Sequence, residues 1–295
     1  MNEAVSQDMH SSDRILPSTL EAPAKLTLSL AVTGCSANGL HAIEAEMVSL
    51  TLADELTFEA GDGLEVLGEL RPSTGESEVP SGSDNLVCRA LAAVGRRAGV
   101  SLLKRIPSGA GLGGGSSDAA AVLRWAGVVP DNPADPGDPA MQLALRLGSD
   151  VPFCLVGGRA VVSGHGEQVK PLQFSPADFL MVTPPFASST AAVYAAWDAL
   201  GAPRGRHGND LEQAALVVNP CLAEWRDAFG GRCGATPRLA GSGSTWFVQV
   251  TADMRRTISQ ATERPLQVHG RSAQIRMVST RPSLTCPPGA ANASP

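Results

Sequence analysis

Residues 104–124, KRIPSGAGLGGGSSDAAAVLR, constrain what this chain of 295 residues can fold into more than any other stretch. Five glycines fall between Gly109 and Gly115, two hydroxyls follow at Ser116 and Ser117, and a run of strong helix formers begins after Asp118. Glycine has no Cβ, so the backbone can take left-handed turns and approach an anion closely. The first amides of a helix lack internal partners, and the helix dipole favours negative charge there. A glycine loop running into a helix therefore suits a phosphate cradle. A plain flexible loop would not run straight into an alanine-rich helix behind a Ser-Ser-Asp start.

Two common glycine motifs can be tested against this one. Gly109-Ala-Gly111-Leu-Gly113-Gly114 fits the G-x-G-x-x-G dinucleotide fingerprint. That fingerprint also needs an acidic residue ~20 positions on, at a strand end. The candidates Asp131, Asp135 and Asp138 lie in the proline-rich VVPDNPADPGDPA, which reads as a loop. A Walker A loop needs Gly-Lys-Ser/Thr, whereas Ser116 follows Gly115 directly. What remains is a lysine-free loop, whose charge neutralisation must come from backbone amides, bound metal and residues elsewhere.

A hydrophobic share of 43% is enough for a sizeable core in one large domain or two ordinary ones. The net charge of −6, without a basic run, argues against nucleic-acid backbones as partners. No run approaches the ~18 consecutive apolar residues of a membrane span. The six cysteines are scattered with no C-x-x-C pair, so a reducing, cytoplasmic setting fits best. Residues 1–20 read as a polar, disordered lead without signal-peptide character.

Along the chain, strands are expected over 26–34, 44–60, 63–70 and 100–106. Asp84 is expected to cap a helix that closes at Gly99, and the loop helix to run to about Gly127. A helix over PAMQLALRLG ends at Gly148, and the apolar VPFCLV after Asp150 reads as a strand. Gly157-Gly158 to Gly166 is the expected hinge. Strands at RAVVSG, DFLMVTPP and 242–250, helices at 188–201, NDLEQAALVV and PCLAEWRDAFGG, a helix near 252–262 and a strand near 272–278 complete the pattern. The tail from about Thr280 reads as disordered. The order is mixed α/β, without the steady alternation of a doubly wound sheet.

Several residues could do chemistry, each with a plainer reading beside it. Lys25, at the mouth of the first strand, is a solvated lysine or a cation beside a phosphate. Asp150 is a turn aspartate or an enclosed general base. His41 follows the tight-turn signal Asn38-Gly39 and is a surface residue or a ligand. Asp118 is expected to cap the loop helix, and Ser116 and Ser117 to cap it or to bind phosphate or metal. Tyr194 is core or contact.

With the loop, Lys25 and Asp150 in hand, the chain resembles a GHMP kinase. APAKLTLSL (22–30) is similar to that superfamily's P-A-K-[LI]-N-L strand, and NGLH (38–41) to its D-G-Y-H. DNLV (84–87), IPSGAGLGGGSSDAAAVL (106–123), LGSDVPF (147–153), PPFASSTAAVYAAWD (184–198), NDLE (209–212) and AGSGSTWF (240–247) follow in order. Within the superfamily the series resembles the branch that acts on a cytidyl-diphosphate sugar alcohol in non-mevalonate isoprenoid synthesis. Homoserine, mevalonate or sugar kinases, and a catalytically silent nucleotide-binding homologue, are the alternatives.

The resemblance implies an α+β, two-domain GHMP-kinase fold, with a ribosomal-protein-like N-terminal α/β domain (21–165), a C-terminal α/β sandwich (166–280), a tail (281–295) and the active site in the cleft. It implies ATP and Mg²⁺, a small-molecule substrate, and a monomer or homodimer, with neither nucleic acid nor membrane as partner. ATP contacts would be Pro107, Ser108, Gly109, Ala110, Gly111, Leu112, Gly113, Gly114, Gly115, Ser116 and Ser117, with a hydroxyl of Ser116 or Ser117 toward Mg²⁺. Asp150 would take the proton from the acceptor hydroxyl, with Lys25 beside it. Substrate contacts would be Thr27, Leu40, His41, Thr190, Tyr194, Gly241, Ser242 and Gly243, the cytosine stacking on Tyr194. Leu40 stands where the family usually has Tyr, Asn38 where it has Asp and Thr27 where it has Asn.

Overall fold

The computed structural model describes residues 17–36, 39–68, 81–254 and 261–284. Two long strands open the fold: β1 (Ser18–Cys35) and β2 (His41–Glu59) pair antiparallel along their length. Gly39, at φ 82°, and a bond from the Ser36 N–H to the Leu40 carbonyl shape the turn between them, as the Asn-Gly signal predicts. Asn38 itself lies outside the described residues. β1 starts within the segment expected as a lead, because Leu20 registers with Leu56 and packs against the core; residues 1–16 lie outside the described residues. Register shifts between Pro23 and Lys25 and between Thr27 and Ser29 break the strict alternation of β1. Such bulges re-aim side chains, and both Lys25 and Thr27 are buried.

Successive halves of β2 pair with β5 (Arg159–Gly164) and β4 (Gly99–Leu103). β3 (Gly63–Leu67) joins β4 in parallel and β6 (Gln168–Pro171) joins β5 antiparallel, completing six strands. Helices α1 (Leu86–Ala93), α2 (Gly114–Trp125), α3 (Pro139–Leu147) and α4 (Val151–Val156) pack against it. The cap of α1 is Asn85, one residue past the expected Asp84, and its side chain accepts the Val87 N–H. α1 stops before Gly95 and not at Gly99, which already begins β4. VPFCLV is a helix and not the expected strand. All six residues are buried and Pro152 sits in the first turn, so periodicity could not separate the two readings.

Gly157-Gly158 to Gly166 is the stretch expected as the hinge. Those glycines flank β5, and the 165/166 division falls inside the β5–β6 hairpin. The crossing to a second sheet comes between Pro171 and Asp178. That sheet has the order β12 (Ile275–Ser279), β7 (Asp178–Val182), β9 (Trp246–Gln249), β8 (Arg238–Leu239). α5 (Thr190–Ala199), α6 (Glu212–Val218) and α7 (Cys221–Cys233) accompany it, with a small hairpin of β10 (Leu266–Val268) and β11 (Arg271–Ala273). The strand expected near 272–278 is thus divided between β11 and β12. Of the helix expected near 252–262, Ala252–Met254 form a 3₁₀ turn and residues 255–260 lie outside the described residues. Arg281 donates its N–H to Ser49 and Ser283 bridges to Gly157, so the expected tail is packed as far as residue 284; residues 285–295 lie outside the described residues.

The two sheets meet through a second apolar cluster. Leu26, Val48 and Leu50 face Phe179, Phe247 and Val278, with Ile106, Ala110 and Leu112 on top. The glycine loop therefore rests on the junction of the sheets. The whole is α+β, as expected.

Candidate active site

The loop's glycines and non-glycines do different jobs. Gly109, Gly111 and Gly113 sit at φ 66°, 77° and 67°, while Ala110 and Leu112 between them are buried in the inter-sheet cluster. The carbonyls of Gly109, Ala110 and Leu112 accept the N–H groups of Ser188, Thr245 and Lys25. With these carbonyls turned to the protein, the N–H groups of residues 111–115 have no acceptor in range among the described residues. Successive free amides of this kind form a concave anion site. α2 follows at once: its N-cap is Gly113, in the left-handed region, with no side-chain cap. The expected capping by Ser116, Ser117 or Asp118 does not occur, and the helix start stays open to an anion.

Lys25 reaches this loop from β1. A Cβ built on Gly113 would lie 2.7 Å from Lys25 Cγ, so the lysine stem runs directly against that glycine. Its Nζ is 3.4 Å from Asp150 Oδ2 and 3.2 Å from Thr27 Oγ1, and 3.7 Å from where Gly241 would carry a Cβ. Asp150 precedes α4 yet makes no cap bond, and its side chain is 33% exposed against 7% for Lys25. The pair is thus a buried ammonium holding a carboxylate that still faces outward. A cation so placed can stabilise charge on a transferring phosphoryl group.

The opposite wall is the 241–243 loop. Thr190 Oγ1 lies 2.9 Å from Ser242 Oγ, and Ser188 Oγ donates to the Ser242 carbonyl. Asn209, which the sequence reading left without a role, donates from Nδ2 to the carbonyls of Leu239 and Gly241. Its place in NDLE was visible, but its target lies 32 residues away and is not. A Cβ on Gly111 would lie 2.5 Å from the Ala240 carbonyl oxygen and 2.7 Å from that of Gly243, so the two glycine loops touch backbone to backbone.

His41 and Tyr194 come together, though not as separate contacts. Their rings stack on each other at 4.7 Å, Trp197 meets His41 edge-on, and Asp198 Oδ1 lies 2.9 Å from His41 Nε2. Leu40 beside them is 54% exposed. Burial, helped by Asp150, pushes the Tyr194 phenol up to about 12. An unfolded tyrosine ionises near ~10, so the fold loses stability as pH climbs from there toward the native value. Tyr194 is the sole tyrosine, which makes this testable by absorbance. At about pH 11 the native protein is expected to show only a small tyrosinate signal while the denatured chain is mostly titrated; coincident curves would place the phenol in solvent.

Ser117 is fully buried and donates its Oγ to the Pro23 carbonyl, which leaves Ser116 as the hydroxyl near the site. Asp118 instead accepts from Lys104 Nζ at 2.7 Å, and Lys104 also pairs with Asp54. Burial pushes the Asp118 carboxyl up to about 7, against the pull of Lys104. Among the described residues no group of three or more His, Cys, Asp or Glu side chains could hold a metal, and no helix is long and apolar enough to cross a membrane.

Known proteins resemble this chain along most of its length. Residues 85–158 match the family described as GHMP kinases N terminal domain. The chain is 39% identical over 207 residues to the 4-diphosphocytidyl-2-C-methyl-D-erythritol kinase of Moorella thermoacetica, covering 68% of this chain and 70% of that one. It is 38% identical over 267 residues to the enzyme of that name from Pelotomaculum thermopropionicum, covering 80% and 90%. A crystal structure of 4-(cytidine 5'-diphospho)-2C-methyl-D-erythritol kinase superposes with a TM-score of 0.63 at 31% identity, over 88% of this chain and 99% of that one. The mevalonate kinase of L. major, at 14% identity and a TM-score of 0.59, shares the fold alone. An open glycine cradle, a Lys–Asp pair at its edge and relatives of this likeness make the chain an ATP-dependent phosphotransferase that belongs to the 4-diphosphocytidyl-2-C-methyl-D-erythritol kinase family of GHMP kinases.

Proposed function

We propose that the chain transfers the γ-phosphoryl group of ATP to the 2-hydroxyl of 4-diphosphocytidyl-2-C-methyl-D-erythritol, in the cytoplasm. The observation that carries this reading is the Lys25–Asp150 pair, set between the 109–115 loop and the 241–243 loop. The triphosphate lies against the free loop amides and the open start of α2. Asp150 accepts the proton of the acceptor hydroxyl as the hydroxyl oxygen attacks the γ-phosphorus, whose bond to the β–γ bridging oxygen breaks to release ADP. Lys25, 3.4 Å from Asp150, holds that side chain in place and offsets charge on the phosphoryl oxygens. The transition state of phosphoryl transfer is loose, so placement and charge matter more than the strength of the base. Thr27 and the 241–243 loop border the acceptor, and His41, Tyr194 and Leu40 take the pyrimidine. The scattered cysteines, five of them free among the described residues, support a reducing compartment.

Mg²⁺ fits this site as a companion of the phosphates. It keeps several waters and needs only one or two protein ligands beside them. Ser116, at the first turn of α2, would supply that ligand, and the ion would offset charge on the phosphate oxygens.

Phosphoryl-transfer assays with ATP against the cytidyl substrate, homoserine and mevalonate test the reading. Turnover of the first alone is expected; preference for either other acceptor overturns it. Leu40→Tyr adds an aromatic face beside His41. A base–aromatic stack is worth ~1–3 kcal/mol, so the KM for the cytidyl substrate is expected to fall by about tenfold. An unchanged KM would place Leu40 away from the base.

A further inference from the structure

We infer that Lys104, gripped by Asp54 and Asp118, is a positioning residue that closes the neck of the nucleotide loop. The loop leaves β4 at Lys104 and re-enters regular structure in α2, where Asp118 lies. These two residues are 14 apart in sequence, and the ammonium of one meets the carboxylate of the other at 2.7 Å. Asp54, fully buried on β2, takes the second grip: Oδ2 accepts from Lys104 Nζ, and Oδ1 accepts the N–H groups of Arg105 and Ile106. Both stems of the loop are thereby fixed to one point. The ammonium also lies 3.2 Å from where Gly114 would carry a Cβ, directly beneath the first residue of the open helix. A buried ion triad of this kind is weak evidence for stability, because apolar residues of like volume often serve as well. What apolar residues cannot do is fix the loop stems by directed bonds. The loop amides would then stay aimed at one phosphate geometry before ATP arrives.

The inference rests on the glycine loop being the ATP cradle, and direct titration of ATP onto the full-length protein separates the two ideas. Wild-type protein that binds no ATP overturns the cradle itself. Given wild-type binding, Asp118→Leu is expected to weaken ATP about tenfold, the scale of a lost charged hydrogen bond. Asp118→Asn keeps an oxygen in reach of Lys104 and is expected to stay within about threefold of wild type. The KM for the phosphoryl acceptor should not move in either. Should Asp118→Leu fail to fold, Asp118→Ser, too short to reach the ammonium, carries the same expectation. A folded Leu or Ser variant with wild-type ATP affinity overturns the inference. So does an equal loss toward ATP and acceptor, which would mark a general loss of structure.

Discussion

Asp150→Asn is expected to lower turnover by at least about 100-fold, the lower range for loss of a general base, while ATP affinity stays nearly unchanged. Asn keeps the shape of the side chain and an oxygen toward Lys25, which stands 3.4 Å away. The substitution removes the charge that receives the proton and little else. Asp150 makes no cap bond to α4, so its loss as a carboxylate should not unravel that helix. Steady-state rates and an ATP titration on the same preparation check this. Near-normal turnover would remove Asp150 from the proton-transfer role. A parallel collapse of ATP binding would instead make it part of the nucleotide site.

Gly111→Ala is expected to abolish useful ATP binding and lower the melting temperature by several degrees. Gly111 sits at φ 77°, where an L side chain costs roughly 1–2 kcal/mol. Its new methyl would meet two carbonyl oxygens, 2.5 Å away at Ala240 and 2.7 Å at Gly243. Both belong to backbone, so no side chain can swing aside and one loop must move. Displacements of ~1 Å in a positioned site can cost about 10²-fold. Gly115→Ala is the matched comparison. Its Cβ would meet only Leu86 Cδ1 at 3.5 Å, and alanine favours a helix over glycine by ~1 kcal/mol. It should melt at or above the wild-type temperature. Equal melting of the two variants would show that the backbone contact at Gly111 is not tight.

Much of this was legible in the chain. The glycine run and the helix after it announced an anion cradle from local rules alone, and the Asn-Gly signal placed the first hairpin. The order of motifs from Lys25 to Gly243 pointed to a kinase fold. The readings that failed did so where local pattern is degenerate. VPFCLV is a short, wholly apolar run, and burial on all sides erases the periodicity that tells helix from strand. Asp118 has the look of a cap because carboxylates favour first turns. Its role belongs to Lys104 and Asp54, and a lone aspartate in the apolar strand LTLADELTF was the only hint of the latter.

The sequence by itself determined where the backbone could turn, free its amides and start a helix, because those preferences act over a few residues. Only the tertiary structure decided which groups met there. Lys25 and Asp150 are 125 positions apart and become partners only when β1 and α4 pack around α2. Asp54, Lys104 and Asp118 form one clasp because β2, β4 and α2 meet beneath the loop. Long-range pairing of this kind depends on how sheets and helices pack, and no local rule encodes it.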